Sequence, residues 1–327
     1  MEKNMGFPIV TPAILNDLKE QLFPINPESF WDVAVTVSAV EYIPKLSNID
    51  VAKAYISEKN ILAFNMINLP DDQSEEFIRK SNEILKTYPS AHYYWQMRTL
   101  FMSVIQDRRI NLEKRFLLLN YAVKTVQGML DNGQEDRIPK FIDEFTSLEN
   151  YDPVLEFFKQ IRPNPAYSLA DGISLIKFLK KPNAAYKEVL STVYKNLGIS
   201  GPESLKLIDM QKYIGMRKAY SEAMNSEKSI AMENILVNYI WANSLPFCNP
   251  SLSYWDHFVF FCSLYNAIKV LYTCYMPGKE DEEFAKAISA FDAAIRASSD
   301  NLMHKVVMAV KNSGQSNNGD MAMLTLS

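Results

Sequence analysis

The sequence predicts an all-α protein, a multi-helix bundle of roughly 12 helices with orthogonal or irregular packing. Hydrophobic residues make up 48% of the chain, which is enough for a sizeable core. Glycine is scarce, at 10 of 327 residues. Because glycine supplies the positive φ angles of tight turns, its scarcity favours long helices with few turns. Apolar residues also recur at helical spacing along most of the chain.

The first part of the chain carries two helix-start signals. Thr11 precedes Pro12, and Asn26 precedes Pro27, so that each proline would occupy the first helical position behind a capping residue. The segment after Asn26 is compatible with two structures, because some of its valines alternate as in a strand while other apolar residues follow helical spacing. We predict a helix there. The strand-like set is Val33, Val35 and Val37, and the helix-like set is Phe30, Ala34, Val37 and Val40.

The central part of the chain predicts three amphipathic helices, at residues 72–88, 90–107 and 112–130. Short connections predict that they pack as adjacent antiparallel neighbours. The third helix ends at Asp131-Asn132-Gly133, since glycine favours the left-handed conformation found after helix ends. A fourth helix is predicted at 137–149. The prolines within residues 151–165 then predict a change of direction or a subdomain boundary.

The last part of the chain continues the same pattern. Asn183 is predicted to cap a helix that Gly198 closes. The apolar tail at residues 321–326 is predicted to dock on the body. The remaining predicted helices span residues 168–180, 202–224, 226–244, 251–276, 280–297 and 300–312.

Composition and charge argue against two kinds of partner. The net charge is −4 and the basic clusters are small, so no nucleic-acid partner is predicted. Residues 258–276 are long enough to cross a bilayer, but Asn266 and Lys269 lie near the middle. Because a charge at the centre of a bilayer is expensive, the stretch is predicted to be a buried core helix, and no membrane contact is expected.

Cysteine and histidine usage gives little support for a metal site. The three cysteines form no C-x-x-C pair, and the three histidines are far apart in sequence. Nucleotide-binding glycine loops and the H-E-x-x-H and G-x-S-x-G motifs do not occur in the sequence. The residues alone therefore name no catalytic group.

The polar residues of one apolar segment are the candidate site. Glu233, Asn234 and Asn238 lie within an otherwise apolar predicted helix. Because buried polar groups need hydrogen bonds, they either tie this helix to a neighbour or line a pocket, and the structural tie is favoured. Trp255 belongs to a following set of aromatics interpreted as core, and His257 is interpreted as a surface or capping histidine. Together these five residues form the candidate pocket.

Several short motifs follow one another along the second part of the chain. They are Ile105-Gln106-Asp107-Arg108-Arg109, Glu233-Asn234-Ile235-Leu236-Val237-Asn238, Leu245-Pro246-Phe247, Ser253-Tyr254-Trp255-Asp256-His257-Phe258, residues 291–314 and Met321-Ala322-Met323-Leu324. In this order they resemble the flagellin lysine-N-methylases, or FliB-type proteins. The resemblance extends over about residues 90–327, and each motif is of moderate specificity.

The resemblance implies a function and a domain layout. Residues 1–89 would form an N-terminal helical region, and residues 90–327 a helical domain similar to the C-terminal part of the family. It implies a bacterial, cytoplasmic protein that uses S-adenosylmethionine to methylate lysines of flagellin or of another protein segment. The family's N-terminal part is cysteine-rich, whereas residues 1–89 contain no cysteine, so no metal or iron–sulfur cluster is expected. The alternative is a non-catalytic helical protein-binding module derived from the family.

Overall fold

The structure is a computed structural model, and the residues that it describes leave several gaps. They are residues 22–24, 39–44, 46–57, 65–68, 86–180, 183–224, 228–242, 245–246, 249, 251–298, 301–313 and 321. Every structural statement below refers to these residues.

Twelve α-helices are present in the described ranges, and their number agrees with the sequence prediction. Short 3-10 turns at 89–93, 135–137 and 202–207 lie between them. The all-α class is confirmed for the body of the protein, from residue 86 onward. The helices are α1 (Ile49–Ser57), α2 (Tyr94–Ile105), α3 (Leu112–Asp131), α4 (Ile138–Thr146), α5 (Asp152–Glu156), α6 (Pro165–Phe178), α7 (Ala184–Leu197), α8 (Met210–Met224), α9 (Lys228–Ala242), α10 (Tyr254–Tyr275), α11 (Asp281–Arg296) and α12 (Leu302–Asn312).

Three short strands near the N-terminus were not predicted. They are β1 (Leu22–Pro24), β2 (Ala39–Pro44) and β3 (Asn65–Asn68), and they form an antiparallel sheet in the order β1-β2-β3. The predicted helical character of residues 1–89 therefore needs correction, and Val40 lies in a strand. Strand pairing is a long-range event that alternation in a short apolar run does not settle. The helix-start signals at residues 11–12 and 26–27, and residues 72–85 of a predicted helix, lie outside the described residues.

Helix α10 is the centre of the fold. It packs against α3, α6, α7, α8, α11 and α12, and its side chains are buried on nearly every side. By length and composition it could cross a membrane, but 94% of its most apolar window is buried inside the protein. The prediction of a core helix is therefore confirmed. An all-round apolar helix is expected where neighbours cover it on every face.

The ends of the helices follow the predicted capping signals. The Asn183 side chain accepts a hydrogen bond from the Tyr186 backbone N–H, and Gly198 closes the same helix with a φ of 73°. Ser253 and Asp256 form a capping box at the start of α10. This box fixes the direction in which the chain enters the core helix.

Helix α1 joins the core of the body, although it lies before residue 89. Leu46, Val51 and Tyr55 are fully buried in the same hydrophobic cluster as α9 and α11. The Ser47 backbone N–H donates to the Asp292 carboxylate at 2.7 Å. The core also continues across residues 151–165, so one cluster holds all of these elements together.

Candidate functional site

Glu233 lies on α9 and forms a buried ion-pair network. Its carboxylate accepts from Arg108 at 2.8 Å and from Arg115 at 2.6 Å. Arg115 also donates to the carbonyls of Ile105 and Ile110. The network ties α9 to the end of α2 and the start of α3. A buried carboxylate of this kind is compensated by its partners, and losing one of them leaves an uncompensated charge.

Asn234 and Asn238 both face α1. The Asn234 side-chain amide donates to the Tyr55 carbonyl at 3.0 Å. Burial raises the pKa of the Tyr55 hydroxyl well above its usual range, and an interaction with Asn238 acts in the opposite direction. The predicted structural tie is confirmed for Asn234, which fastens α9 to α1.

Trp255 lies at the start of α10 and packs toward α3. Its ring contacts Phe258 with the ring centroids 5.4 Å apart. The Lys124 ammonium lies 4.7 Å from the ring centroid, in a cation–π contact. Its interpretation as a core aromatic is confirmed, since its exposed fraction is 6%.

His257 is fully buried, which corrects its interpretation as a surface histidine. Its ring contacts backbone groups at the start of α10, which is compatible with the capping alternative. Its Nε2 accepts from the Asn249 backbone N–H at 3.1 Å, and its Nδ1 lies 2.7 Å from the Ser253 carbonyl. With Nε2 accepting, Nδ1 carries the proton and donates to Ser253. Burial lowers the pKa of His257 to about 4, partly offset by the bond to Ser253. The histidine is therefore neutral at pH 7, and both ring nitrogens are used within the protein.

The five candidate residues thus contact different parts of the fold. The partners of Glu233 lie at the α2–α3 turn, those of Asn234 on α1, and those of His257 in the segment before α10. None of the five lines the cavity between α8 and α10 or the hollow along α7, which are described next. A ligand contact at these residues stays a prediction, while the geometry gives each of them a structural role.

The larger cavity is a feature that sequence reasoning missed. It has a volume of about 550 Å³ and lies between α8, the start of α9, the end of α10 and the turn after it. A smaller hollow of about 400 Å³ lies along α7 and carries Lys187 and Lys195. Because the residues of the larger cavity come from two separate stretches of the chain, 212–228 and 272–279, no local spacing in the sequence identifies it. Its wall includes Lys212, Met216, Tyr220, Lys228, Tyr272 and Thr273.

The residues that the structure describes do not form a metal centre. Among the described residues there is no group of three or more His, Cys, Asp or Glu side chains placed to hold an ion. Cys262 and Cys274 are both buried in α10. The chain has three cysteines in all, so it cannot supply the four thiolates that commonly hold an iron–sulfur cluster.

The fold is a large helical body built around a buried central helix, and its family follows from comparison with known proteins. Residues 98–324, which run from α2 past the end of α12, match the family model described as the FliB lysine N-methylase C-terminal domain. No curated protein and no solved structure matches the chain. Because the match covers more than half of the chain, the protein belongs to the FliB lysine N-methylase C-terminal domain family. The resemblance predicted from short motifs is confirmed.

Proposed function

We propose that this protein is a lysine N-methylase that transfers methyl groups from S-adenosylmethionine to lysine side chains of flagellin. The observation that carries the proposal is the family match, which includes nearly the whole buried helical body. S-adenosylmethionine would supply the methyl group, and a lysine amine of the partner protein would accept it. A bacterial, cytoplasmic setting is part of the same proposal.

The fit of S-adenosylmethionine to the predicted pocket is poor. The Glu233 carboxylate is held by two arginines, the Asn234 amide is bound to a helix carbonyl, and both nitrogens of His257 are used. None of these groups lines the cavity between α8 and α10 or the hollow along α7. We therefore assign no step of the transfer to them.

A second candidate function is a non-catalytic protein-binding module that keeps the family's helical body. Two observations favour it. The polar residues of the resembling segment hold helices together, and residues 1–89 carry no cysteine that could correspond to the family's cysteine-rich part. In this case the body would recognise a protein segment, with flagellin as the proposed partner, and no methyl transfer would occur.

The deciding experiment is a calorimetric titration of S-adenosylmethionine into the purified full-length protein. For a methylase we expect specific binding with a Kd of about 1–100 μM. Incubation with flagellin and methyl-labelled donor should then label lysine side chains. Mass spectrometry of the flagellin would show an added mass of one or more methyl groups on lysine.

Matched variants test whether the predicted pocket takes part. Asn234→Leu removes a bond to the Tyr55 carbonyl, and Asn196→Leu removes a comparable bond to the Cys274 carbonyl at 2.8 Å. Both should lower stability, and Asn234→Leu should do so by more, because its hydrogen bond is buried whereas that of Asn196 is only partly buried. If the predicted pocket binds the donor, only Asn234→Leu should weaken binding, by at least about tenfold. Equal affinity in the two folded variants would remove the pocket from the proposal.

A flat titration of the folded protein would contradict the methylase proposal. The second candidate function, a protein-binding module, predicts that purified flagellin and this protein form a direct complex without any methyl donor. Absence of both donor binding and a flagellin complex would contradict both candidate functions.

A further inference from the structure

The cavity between α8 and α10 has a basic lining. Lys212 on α8, Lys228 at the start of α9 and Lys279 in the turn after α10 all contribute to its wall. Its volume of about 550 Å³ lies in the range of cavities that hold small-molecule ligands. Met216, Met276 and the rings of Tyr220 and Tyr272 form the apolar part of the wall. The cavity therefore combines an apolar body with a cluster of cations.

The carboxylates near the cavity do not neutralise all of these lysines. Asp281 pairs with Lys228 at 2.8 Å, and Glu283 lies 3.9 Å from Lys279. Among the described residues, Lys212 forms no ion pair. The start of α9 also favours an anion, and the end of α10 opposes it, so that the two helix ends roughly cancel. Lys212, which is exposed to solvent, is therefore the lysine of the lining that has no carboxylate partner among the described residues.

A buried hydroxyl at the wall lacks a partner. Thr273 lines the cavity with an exposed fraction of 2%, and its Oγ1 makes no hydrogen bond within the described residues. A threonine in a helix commonly bonds to the carbonyl one turn earlier. A buried polar group without a bond costs stability, so an unsatisfied hydroxyl at a cavity wall points to a ligand acceptor.

A buried guanidinium behind the same wall adds to the positive charge. Arg217 lies on α8, one turn before Tyr220, and its exposed fraction is 5%. Its Nε and Nη2 atoms are buried and make no hydrogen bond within the described residues. The neighbouring buried cation, Lys269, is paired with Glu113 at 3.2 Å. No described carboxylate pairs with Arg217, so the region as a whole carries surplus positive charge.

From this arrangement we infer that the cavity between α8 and α10 is a binding site for a small organic anion. Its phosphate or carboxylate group would accept hydrogen bonds from Lys212 and from the Thr273 hydroxyl. Its apolar or aromatic body would pack against the methionines and tyrosines of the wall. The ligand differs in kind from the methyl donor, because the sulfonium and ammonium groups of S-adenosylmethionine give that molecule a net positive charge.

The test uses three probes, inorganic phosphate, citrate and AMP, titrated into the full-length protein by calorimetry. We expect at least one of them to bind with a Kd of about 1 mM or tighter. Adenosine, which has the ring but not the phosphate of AMP, should bind more weakly than AMP. Affinity should fall as salt is added, because the contact is electrostatic.

Two variants and one control locate the site. Lys212→Gln should weaken binding of the anion by at least about tenfold. Thr273→Val should also weaken it, yet should not lower the melting temperature, because the lost hydroxyl has no protein partner. Lys195→Gln, in the smaller hollow along α7, should leave the affinity unchanged. This control distinguishes binding in the cavity between α8 and α10 from nonspecific attraction of the anion to surface lysines.

Three results would overturn the inference. One is the failure of all three anions to bind at about 10 mM, where even a weak site would be occupied. Another is equal binding by Lys212→Gln and the unmodified protein. The third is an equal loss of affinity in Lys195→Gln. A failure of S-adenosylmethionine to bind would leave this inference untouched, since the two ligands carry opposite net charge.

Discussion

Buried polar side chains at the candidate site form hydrogen bonds and ion pairs with other groups of the protein. Glu233 meets two arginines, and Asn234 meets a backbone carbonyl. Residue type alone left two interpretations open, a structural tie or a pocket. For Glu233 and Asn234 the partners favour the structural tie, because a buried acceptor or donor that is already satisfied gains little from a ligand. At the scale of single residues the site therefore contributes mainly to stability.

His257 gives a pH-dependent prediction at this scale. Its folded pKa is about 4, below the usual value of 6.5. Between these pH values the unfolded chain binds a proton that the folded protein does not, so His257 costs stability as the pH falls. His257→Gln removes this cost. The stability difference between the two proteins should shrink by about 3 kcal/mol between pH 7 and pH 4, measured by urea unfolding at each pH.

Asp171 also titrates between pH 4 and pH 7, and the comparison of the two proteins removes its effect. Burial raises the pKa of Asp171 from 3.8 to about 6, so the folded protein binds its proton first and gains stability as the pH falls. Because both proteins contain Asp171, its effect cancels in their difference. His304→Gln is the matched control, since His304 is exposed. A pH-independent difference for His257→Gln would contradict the buried neutral histidine.

At the scale of elements, the contact between α6 and α10 is very close. A Cβ added at Gly172 would lie 2.6 Å from the Asn266 carbonyl oxygen, which is backbone and cannot swing away. The Asp171 carboxylate accepts from Ser263 and from the Asn266 amide across the same contact. Ser168 donates to the Asn266 side chain as well. The glycine allows the approach that these hydrogen bonds require.

Gly172→Ala should therefore lower the free energy of unfolding by about 1–3 kcal/mol, as expected for overpacking. Gly128→Ala on α3 is the control, because nothing lies within 4 Å of the added Cβ. That change should stabilise the protein by about 0.5–1 kcal/mol through helix propensity. Urea unfolding of both variants measures the contrast. Similar effects of the two substitutions would show that α6 and α10 are not in close contact.

Local signals explain what the sequence could predict. Helix capping and apolar spacing act within a few residues. The structure confirms the predicted cap at Asn183 and the left-handed Gly198 at the two ends of α7. The sheet was missed because Val40 pairs with Ile67, far along the chain. The arginine partners of Glu233 and the walls of the cavity are also long-range, with Arg115 and Glu233 118 residues apart. Contacts between residues so far apart in the chain cannot be predicted from a local sequence pattern.

At the scale of the whole molecule, helix α1 and the helices of the body share one main core. Val51 and Tyr55 of α1 are buried in the same cluster as the helices of the family-matched region. The sequence predicts an N-terminal region up to residue 89 and leaves open whether this region is a separate domain or the first part of one bundle. The packing of α1 against α9 and α11 predicts that α1 and the body unfold together.

Tyr55→Ala tests this cooperativity. The side chain is fully buried, so its truncation should cost about 3–5 kcal/mol. Because α1 shares the core, the whole protein should unfold earlier, in one transition seen alike by circular dichroism and by tryptophan fluorescence. Tyr167→Ala on α6, where the side chain is 37% exposed, is the control and should cost much less. If α1 belonged to a separate domain, Tyr55→Ala would leave the main transition of the body at its original midpoint and add an earlier one.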